Sequence, residues 1–296
     1  MKIHCAGAGT FPTVTEMTGV FSGLDLFSSF YDIKEVSRLV ALRKHKPRSI
    51  VCDSGAHAYF SASGSGISVI KLNSRLPPPK EYVRRYAQFI SESLPFINAY
   101  VEMDTVQLHG VKFQRWQRDC LLEAVRGDKK RLWPVYHTCE PREAVTKLLR
   151  GGWYYIALEG SKAPLGGSKV LSRADYLDIV RRCYERQVKV HIFATVSKEF
   201  LTHVPVYSSD SSSWSMVYRS GTFMRFNGKG MSPVHRTDVA RRFKHALGVA
   251  QPLSKITCDR DKVFRYRDLF RTALEQYEKF AKYLTDLWTA RGIVWQ

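Results

Sequence analysis

The sequence is short of acid. Its 296 residues hold 46 lysines and arginines against 27 aspartates and glutamates, a formal net charge of +19. Folding does not require that imbalance. It gathers polyanions at the surface, and nucleic acid is the commonest polyanionic partner. The chain also lacks any run of about 18 apolar residues, so no membrane span is expected. Its first residues, MKIHCAGAG, have no apolar stretch of the kind a secretory signal carries. Cysteine is sparse and scattered: Cys5, Cys52, Cys120, Cys139, Cys183 and Cys258, with no CxxC pair. A disulfide scaffold is therefore not expected, and a reducing, cytoplasmic setting is the simpler reading. A glycine-rich dinucleotide fingerprint is missing too, because Gly7-Ala8-Gly9 lacks the third glycine. No repeat of fixed period and no long low-complexity segment occurs.

What is present is an alternation. Short apolar or β-branched runs end in a polar residue, and a helical pattern follows each. The strand candidates are Lys2–Ala6, Ser49–Asp53, Ile97–Asp104, Leu132–His137, Trp153–Glu159, Lys189–Ala194 and Val204–Asp210. Near-continuous apolar character suits strands covered on both faces. Helical spacing marks 32–46, 79–93, 114–126, 141–150, 173–185 and 197–203. Such alternation predicts crossover connections and a parallel sheet. The count favours a closed (β/α)8 TIM-type barrel of the α/β class, with Thr222–Phe226 as a candidate eighth strand. Residues 1–250 are expected to form the barrel, with a basic insertion around 211–245. Residues 251–296, with apolar spacing from Phe264 to Leu287, are expected to form a helical segment packed on it. The serine-rich stretch Ser208–Ser220 reads either as a linker or as a substrate-facing loop.

Barrel enzymes place their chemistry at the C-terminal ends of the strands. The last residues of the strand candidates are Asp53, Asp104, His137, Glu159, Thr195 and Asp210. Any one aspartate could simply cap the next helix. Four carboxylates at successive strand ends are better explained by a shared site, because acidic residues seldom occupy buried positions at random. Two spaced carboxylates can divide labour at a glycosidic bond, one attacking the anomeric carbon and the other moving protons. The same set could instead hold a metal ion, or serve a glycoside hydrolase.

Several segments resemble, in order, those of the tRNA-guanine transglycosylase (queuine tRNA-ribosyltransferase) family. CDSGAHAYF at Cys52–Phe60 resembles its DSGG-type motif. YVEMDTV at Tyr100–Val106 is similar to the strand ending in the base-recognising aspartate. WPVYHT at Trp133–Thr138 and YIALEG at Tyr155–Gly160 stand where the family has its V-Q-G-G and I-G-G-L-type segments. HIFATVSKEFLTHVPVYSSDSSSW at His191–Trp214 resembles the stretch ending in the nucleophilic aspartate. The resemblance spans roughly 49–214 and rests on the order and spacing of these segments rather than on any one of them.

It implies a barrel that exchanges a guanine-type base in a nucleic acid without cutting the backbone. Asp210 would be the nucleophile at C1′ and Asp53 the general acid or base. Asp104, Ser54, His137, Glu159 and Gly160 would line the base pocket. The tRNA enzymes bind structural zinc through a CxCxxC cluster and a distant histidine after the nucleophile. Only Cys258 follows Asp210 here, so no metal and no cofactor are expected. Ala56 also replaces the second glycine of DSGG. A zinc-free, strongly basic relative is most similar to the phage-type DNA-guanine transglycosylases. Those place 7-deazaguanine derivatives such as preQ0 in DNA and so shield it from restriction. The implied partners are DNA, less readily tRNA, and a free 7-deazaguanine base. A barrel that only binds nucleic acid is the non-enzymatic alternative. The target nucleotide would have to be flipped out of the stack. Candidate phosphate contacts are Arg219, Arg225, Lys229, Arg236, Arg241, Arg242 and Lys244, with Trp214, Phe223 and Phe226 interleaved and a second basic set at Lys129, Lys130 and Arg131.

Overall fold

The computed structural model describes residues 1–8, 19–33, 36–56, 77–137, 139–159, 171–216, 223–234 and 260–296. Nine parallel strand segments form one sheet: β1 (Lys2–Ala6), β2 (Asp25–Ser29), β3 (Ser49–Asp53), β4 (Ala99–Val101), β5 (Leu132–Trp133), β6 (Val135–Tyr136), β7 (Tyr155–Leu158), β8 (Lys189–Ile192) and β9 (Ser208–Ser211). Their order is β5-β4-β3-β2-β1-β9-β8-β7-β6. The two ends of that order, β5 and β6, are consecutive in the chain and separated only by Pro134. Proline has no N–H to give to a ladder. The run therefore pairs with β4 before Pro134 and with β7 after it. The Ala157 amide donates to the Pro134 carbonyl at 2.9 Å. Counted this way, β5 and β6 are one stave, and eight staves close a (β/α)8 barrel.

Alternate residues of each stave face the lumen and the surrounding helices. The lumen has its own small core of Phe27, Val51, Ala99, Val101, Trp133, Val135 and Ala157. Two buried histidine rings complete it. His191 stacks on Phe27 at 5.2 Å between ring centroids and meets His4 edge-on at 5.7 Å. The larger core lies between the sheet and the helices α1 (Val36–Lys44), α2 (Pro79–Ser93), α3 (Val106–Ala124), α4 (Glu143–Arg150), α5 (Arg173–Tyr184), α6 (Lys198–Leu201) and α7 (Arg260–Ala290).

Helix α2 shows how sequence builds that layer. It opens on a proline at its first turn, which needs no N–H there. It buries Tyr82, Val83, Tyr86, Phe89 and Ile90, one stripe at helical spacing. Helix α5 opens with a capping box, in which Ser172 Oγ accepts from the Asp175 amide at 3.2 Å and Asp175 accepts from the Ser172 amide at 2.9 Å. Helix α7 packs on β1, on the 3-10 turn Ser213–Ser215 and on a hairpin described next.

The expected eighth strand is corrected. Residues Phe223–Phe226 do not join the barrel but pair antiparallel with Met231–Val234 as a separate two-stranded hairpin, β10 and β11. The missing stave is β2, of sequence DLFSS. Its apolar share is low because two of its buried positions are Asp25 and Ser28. Asp25 is sustained inside by Arg48 at 2.8 Å and Ser49 at 2.5 Å. Helix α3 begins earlier than the expected 114, at Val106, with a break at Gly110 (φ 73°, ψ 172°). Among the described residues no helix is long and apolar enough to cross a membrane.

Candidate active site

The C-terminal ends of the staves carry the titratable cluster. Asp53 closes β3, and its Oδ2 accepts the Gly55 amide at 3.0 Å. That turn requires glycine: Gly55 has φ +78°, and a Cβ there would lie 2.6 Å from Tyr31 Cβ. Burial, with the charges of Asp210 and Asp104 adding to it, pushes the Asp53 carboxyl up to about 7, against the pull of the Gly55 amide. Asp53 is therefore a carboxyl poised between acid and base near neutral pH.

Asp210 lies within β9 and is buried. The Ala194 amide donates to its Oδ1 at 2.8 Å, and His191 Nε2 lies 3.3 Å from the same oxygen. Ala194 follows β8 in a left-handed conformation (φ 51°).

Asp104 lies just past β4, and His137 just past β6. His137 Nδ1 is 2.7 Å from Asp104 Oδ1, close enough for a charged contact. Burial pulls the His137 imidazole down, but the Asp104 carboxylate together with Glu140 and Glu102 outweighs it, and the net direction is up. The other ring nitrogen of this fully buried histidine, Nε2, lacks a hydrogen-bond partner among the described residues. Ser54, also buried, accepts Tyr82 Oη–H on its carbonyl at 2.8 Å, while its Oγ has no hydrogen-bond partner among the described residues. Unmet polar groups of this kind at a strand-end site are suited to a polar, planar ligand. Glu159 follows β7 at the same rim, half-buried, and its carbonyl accepts Tyr176 Oη–H at 3.0 Å.

No protein-family model matches the chain, and neither does any curated protein. Among solved structures the chain is similar to a putative fructose-1,6-biphosphate aldolase from Coccidioides immitis. The identity is 11% over 97% of this chain and 90% of that one, with a TM-score of 0.52. A mutant of FabK from Thermotoga maritima aligns at 11% identity over 99% of this chain and 95% of that one, with a TM-score of 0.43. At such identity the likeness is one of fold: this is a TIM barrel.

The barrel brings Asp104 and Asp210 within electrostatic reach of Asp53, with His137 against Asp104. Ser54 and Glu159 lie on the same rim. Gly160, Arg219, Arg236, Arg241, Arg242 and Lys244 lie outside the described residues. Arg225 and Lys229 are exposed on the β10–β11 hairpin. Trp214 is not exposed beside the cations it is interleaved with in the sequence. It is fully buried, and its indole donates to the Ala6 carbonyl at 2.7 Å. Phe226 packs on Phe280 and Tyr283 of α7. Lys129 and Lys130 stand over the rings of Trp153 and Tyr154, at the ends of the staves opposite the carboxylates.

Two residues of consequence do not stand out in the sequence. His191 is an isolated polar residue in the inward register of β8. Glu102, just past β4, is buried and takes a two-point contact from Arg118, at 3.0 and 2.9 Å, together with the Val135 amide at 2.9 Å. Only the inside-outside alternation of the strands marks such positions, and only once the register is known.

Proposed function

We propose that this chain is a DNA-guanine transglycosylase, which exchanges a guanine of DNA for a 7-deazaguanine derivative. The observation that carries the reading is the pair of carboxyls at the stave ends, Asp210 buried and Asp53 half-buried. Asp210 is an aspartate held by a backbone amide, and Asp53 is a neighbouring carboxyl whose pKa is raised to about 7. Environments that set two carboxyls apart assign nucleophile and proton carrier. In the proposed reaction an Asp210 oxygen forms a bond to C1′ of the flipped nucleotide. The C1′–N9 bond breaks, its electron pair leaves on guanine, and protonated Asp53 supplies the proton. The incoming base returns a proton to Asp53, its N9 attacks C1′, and Asp210 is released. The sugar–phosphate backbone stays intact throughout. The polar groups of Ser54, Asp104 and His137 suit the hydrogen-bonding edge of a purine or 7-deazapurine. The choice of DNA over tRNA is supported by the resemblance to zinc-free, phage-type enzymes, while the net charge of +19 supports a polyanionic partner of either kind.

The test offers isotope-labelled guanine and 7-deazaguanine precursors with duplex DNA, single-stranded DNA and tRNA in parallel. Incorporation into DNA is expected. The Asp210→Asn variant is expected to lose exchange by at least about 10³-fold while keeping its nucleic-acid affinity. Incorporation only into tRNA moves the substrate, and incorporation nowhere leaves a barrel that binds without turnover.

A further inference from the structure

The lumen beneath Asp210 holds a second polar chain. His191 is fully buried, and its two ring nitrogens face different partners. Nδ1 lies 2.9 Å from Ser208 Oγ, and Nε2 lies 3.3 Å from Asp210 Oδ1. Ser208 and Asp210 sit two residues apart on β9, so both point inward, and His191 of β8 pairs in register with Ser208.

The chemistry of these groups selects one tautomer. A carboxylate oxygen only accepts, so the nitrogen facing it must carry the hydrogen. His191 Nε2–H then donates to Asp210, and Nδ1 accepts the Ser208 hydroxyl proton. The opposite tautomer would set a lone pair against a carboxylate in a water-poor lumen. The ring is also held in place: it stacks on Phe27 at 5.2 Å and touches Trp133 at 5.3 Å between centroids.

Both donors meet the same oxygen. The Ala194 amide at 2.8 Å and His191 Nε2 at 3.3 Å share Oδ1, whereas Oδ2 receives no hydrogen bond among the described residues. Donors on one oxygen lower its nucleophilicity and fix the carboxylate plane, which leaves the other oxygen aimed and reactive. We infer that His191, oriented by Ser208, is the positioning residue of Asp210, clamping Oδ1 so that Oδ2 is the attacking oxygen. This rests on the base-exchange reading. In that reaction the new bond is Oδ2–C1′, the broken bond is C1′–N9, and the departing pair leaves on guanine, protonated by Asp53. His191 keeps its proton throughout and touches neither sugar nor base.

Two measurements on the full chain test it. The first follows a single turnover on guanine-containing DNA and reads formation of the covalent protein–DNA species. His191→Phe keeps the aromatic packing and removes the donor. It is expected to slow that step by about 100-fold, the scale of a misplaced reacting group, with DNA affinity unchanged. His191→Gln restores an amide donor and is expected to recover the rate to within about 10-fold of wild type. A His191→Phe variant as fast as wild type overturns the inference, as does a His191→Gln variant as slow as His191→Phe.

The second measurement needs no turnover. Long-range ¹H–¹⁵N spectra of the nine histidines, assigned by the loss of one signal in His191→Gln, are expected to show His191 with its hydrogen on Nε2. Asp210→Asn is expected to shift that signal. A hydrogen on Nδ1 overturns the clamp whatever the activity. A wild-type chain with the Nε2–H tautomer but no exchange on any nucleic acid overturns the base-exchange reading, and the assignment of Oδ2 as its nucleophile falls with it. The His191–Asp210 contact itself would stand.

Discussion

Asp53 is the residue on which the chemistry of the rim turns. Burial comes first among the causes that lift its carboxyl to about 7, and the Asp210 and Asp104 charges follow. If it donates the proton to departing guanine, the first half-reaction needs its protonated form. The single-turnover rate should then fall as pH rises through about 7. Asp104→Asn removes one of the charges that raise it, and the inflection should move to lower pH; an unmoved inflection would assign it to another group. The same shift bears on stability. A folded-state pKa raised above the unfolded value means that the native chain holds a proton the unfolded chain releases. The stability tied to Asp53 is therefore full below the ordinary carboxylate range and is lost as pH rises to about 7. Asp53→Asn, which mimics the neutral acid, is expected to be more stable than wild type at about pH 8, by about 1–3 kcal/mol. The gap should close toward about pH 4, as read by urea denaturation at the two pH values.

At the scale of the element, the stave formed by β5 and β6 shows how a buried ion pair can hold a sheet where the backbone cannot. Pro134 breaks the ladder, and the Val135 amide beyond it turns to Glu102 Oε2 at 2.9 Å. Arg118 from α3 closes the arrangement on both carboxylate oxygens, so Glu102 is buried but fully engaged. Removing one partner of such a pair strands the other charge. Arg118→Met is expected to destabilise the fold by about 3–5 kcal/mol, measured by chemical denaturation, and a loss below about 1 kcal/mol would reduce the pair to the worth of a surface contact. The example also shows what the sequence discloses. Apolar runs such as SIVCD and KVHIFA announce staves because the sheet is covered on both faces, and Asp53, Asp104, His137, Glu159 and Asp210 all come to the stave ends. DLFSS does not announce one, because its buried positions include polar residues, and Asp25 is satisfied from a neighbouring segment. FMRF has strand propensity, but propensity names no partner, and it pairs locally with Met231–Val234. The hydrogen bonds to Asp210 are equally hidden, since they join residues 16 and 19 positions apart across the adjacent staves β8 and β9.

For the whole molecule, charge and closure work on different faces of the same problem. Closure gathers the carboxylates at one end of the barrel, and their mutual repulsion there is part of what raises Asp53. A negative cluster is a poor place to bring a polyanion, so on the base-exchange reading the excess of 19 positive charges would have to attract the phosphates from around the site and leave the base alone to enter it. Binding should then be dominated by counterion release, with a log–log salt slope of about −0.9 for each phosphate neutralised on duplex. Arg225 and Lys229 stand exposed on the β10–β11 hairpin, which packs against α7 and so is anchored to the barrel. If both contact phosphate, the Arg225→Gln/Lys229→Gln double variant should flatten the slope by about 2 and weaken all sequences alike. Its single-turnover rate at saturating DNA should stay at the wild-type value if the two side chains act only through the phosphates. A slope equal to wild type would take the hairpin out of the interface and transfer the phosphates to other cations of the chain. A fall in the saturated rate would show instead that the hairpin helps seat the flipped nucleotide over Asp210.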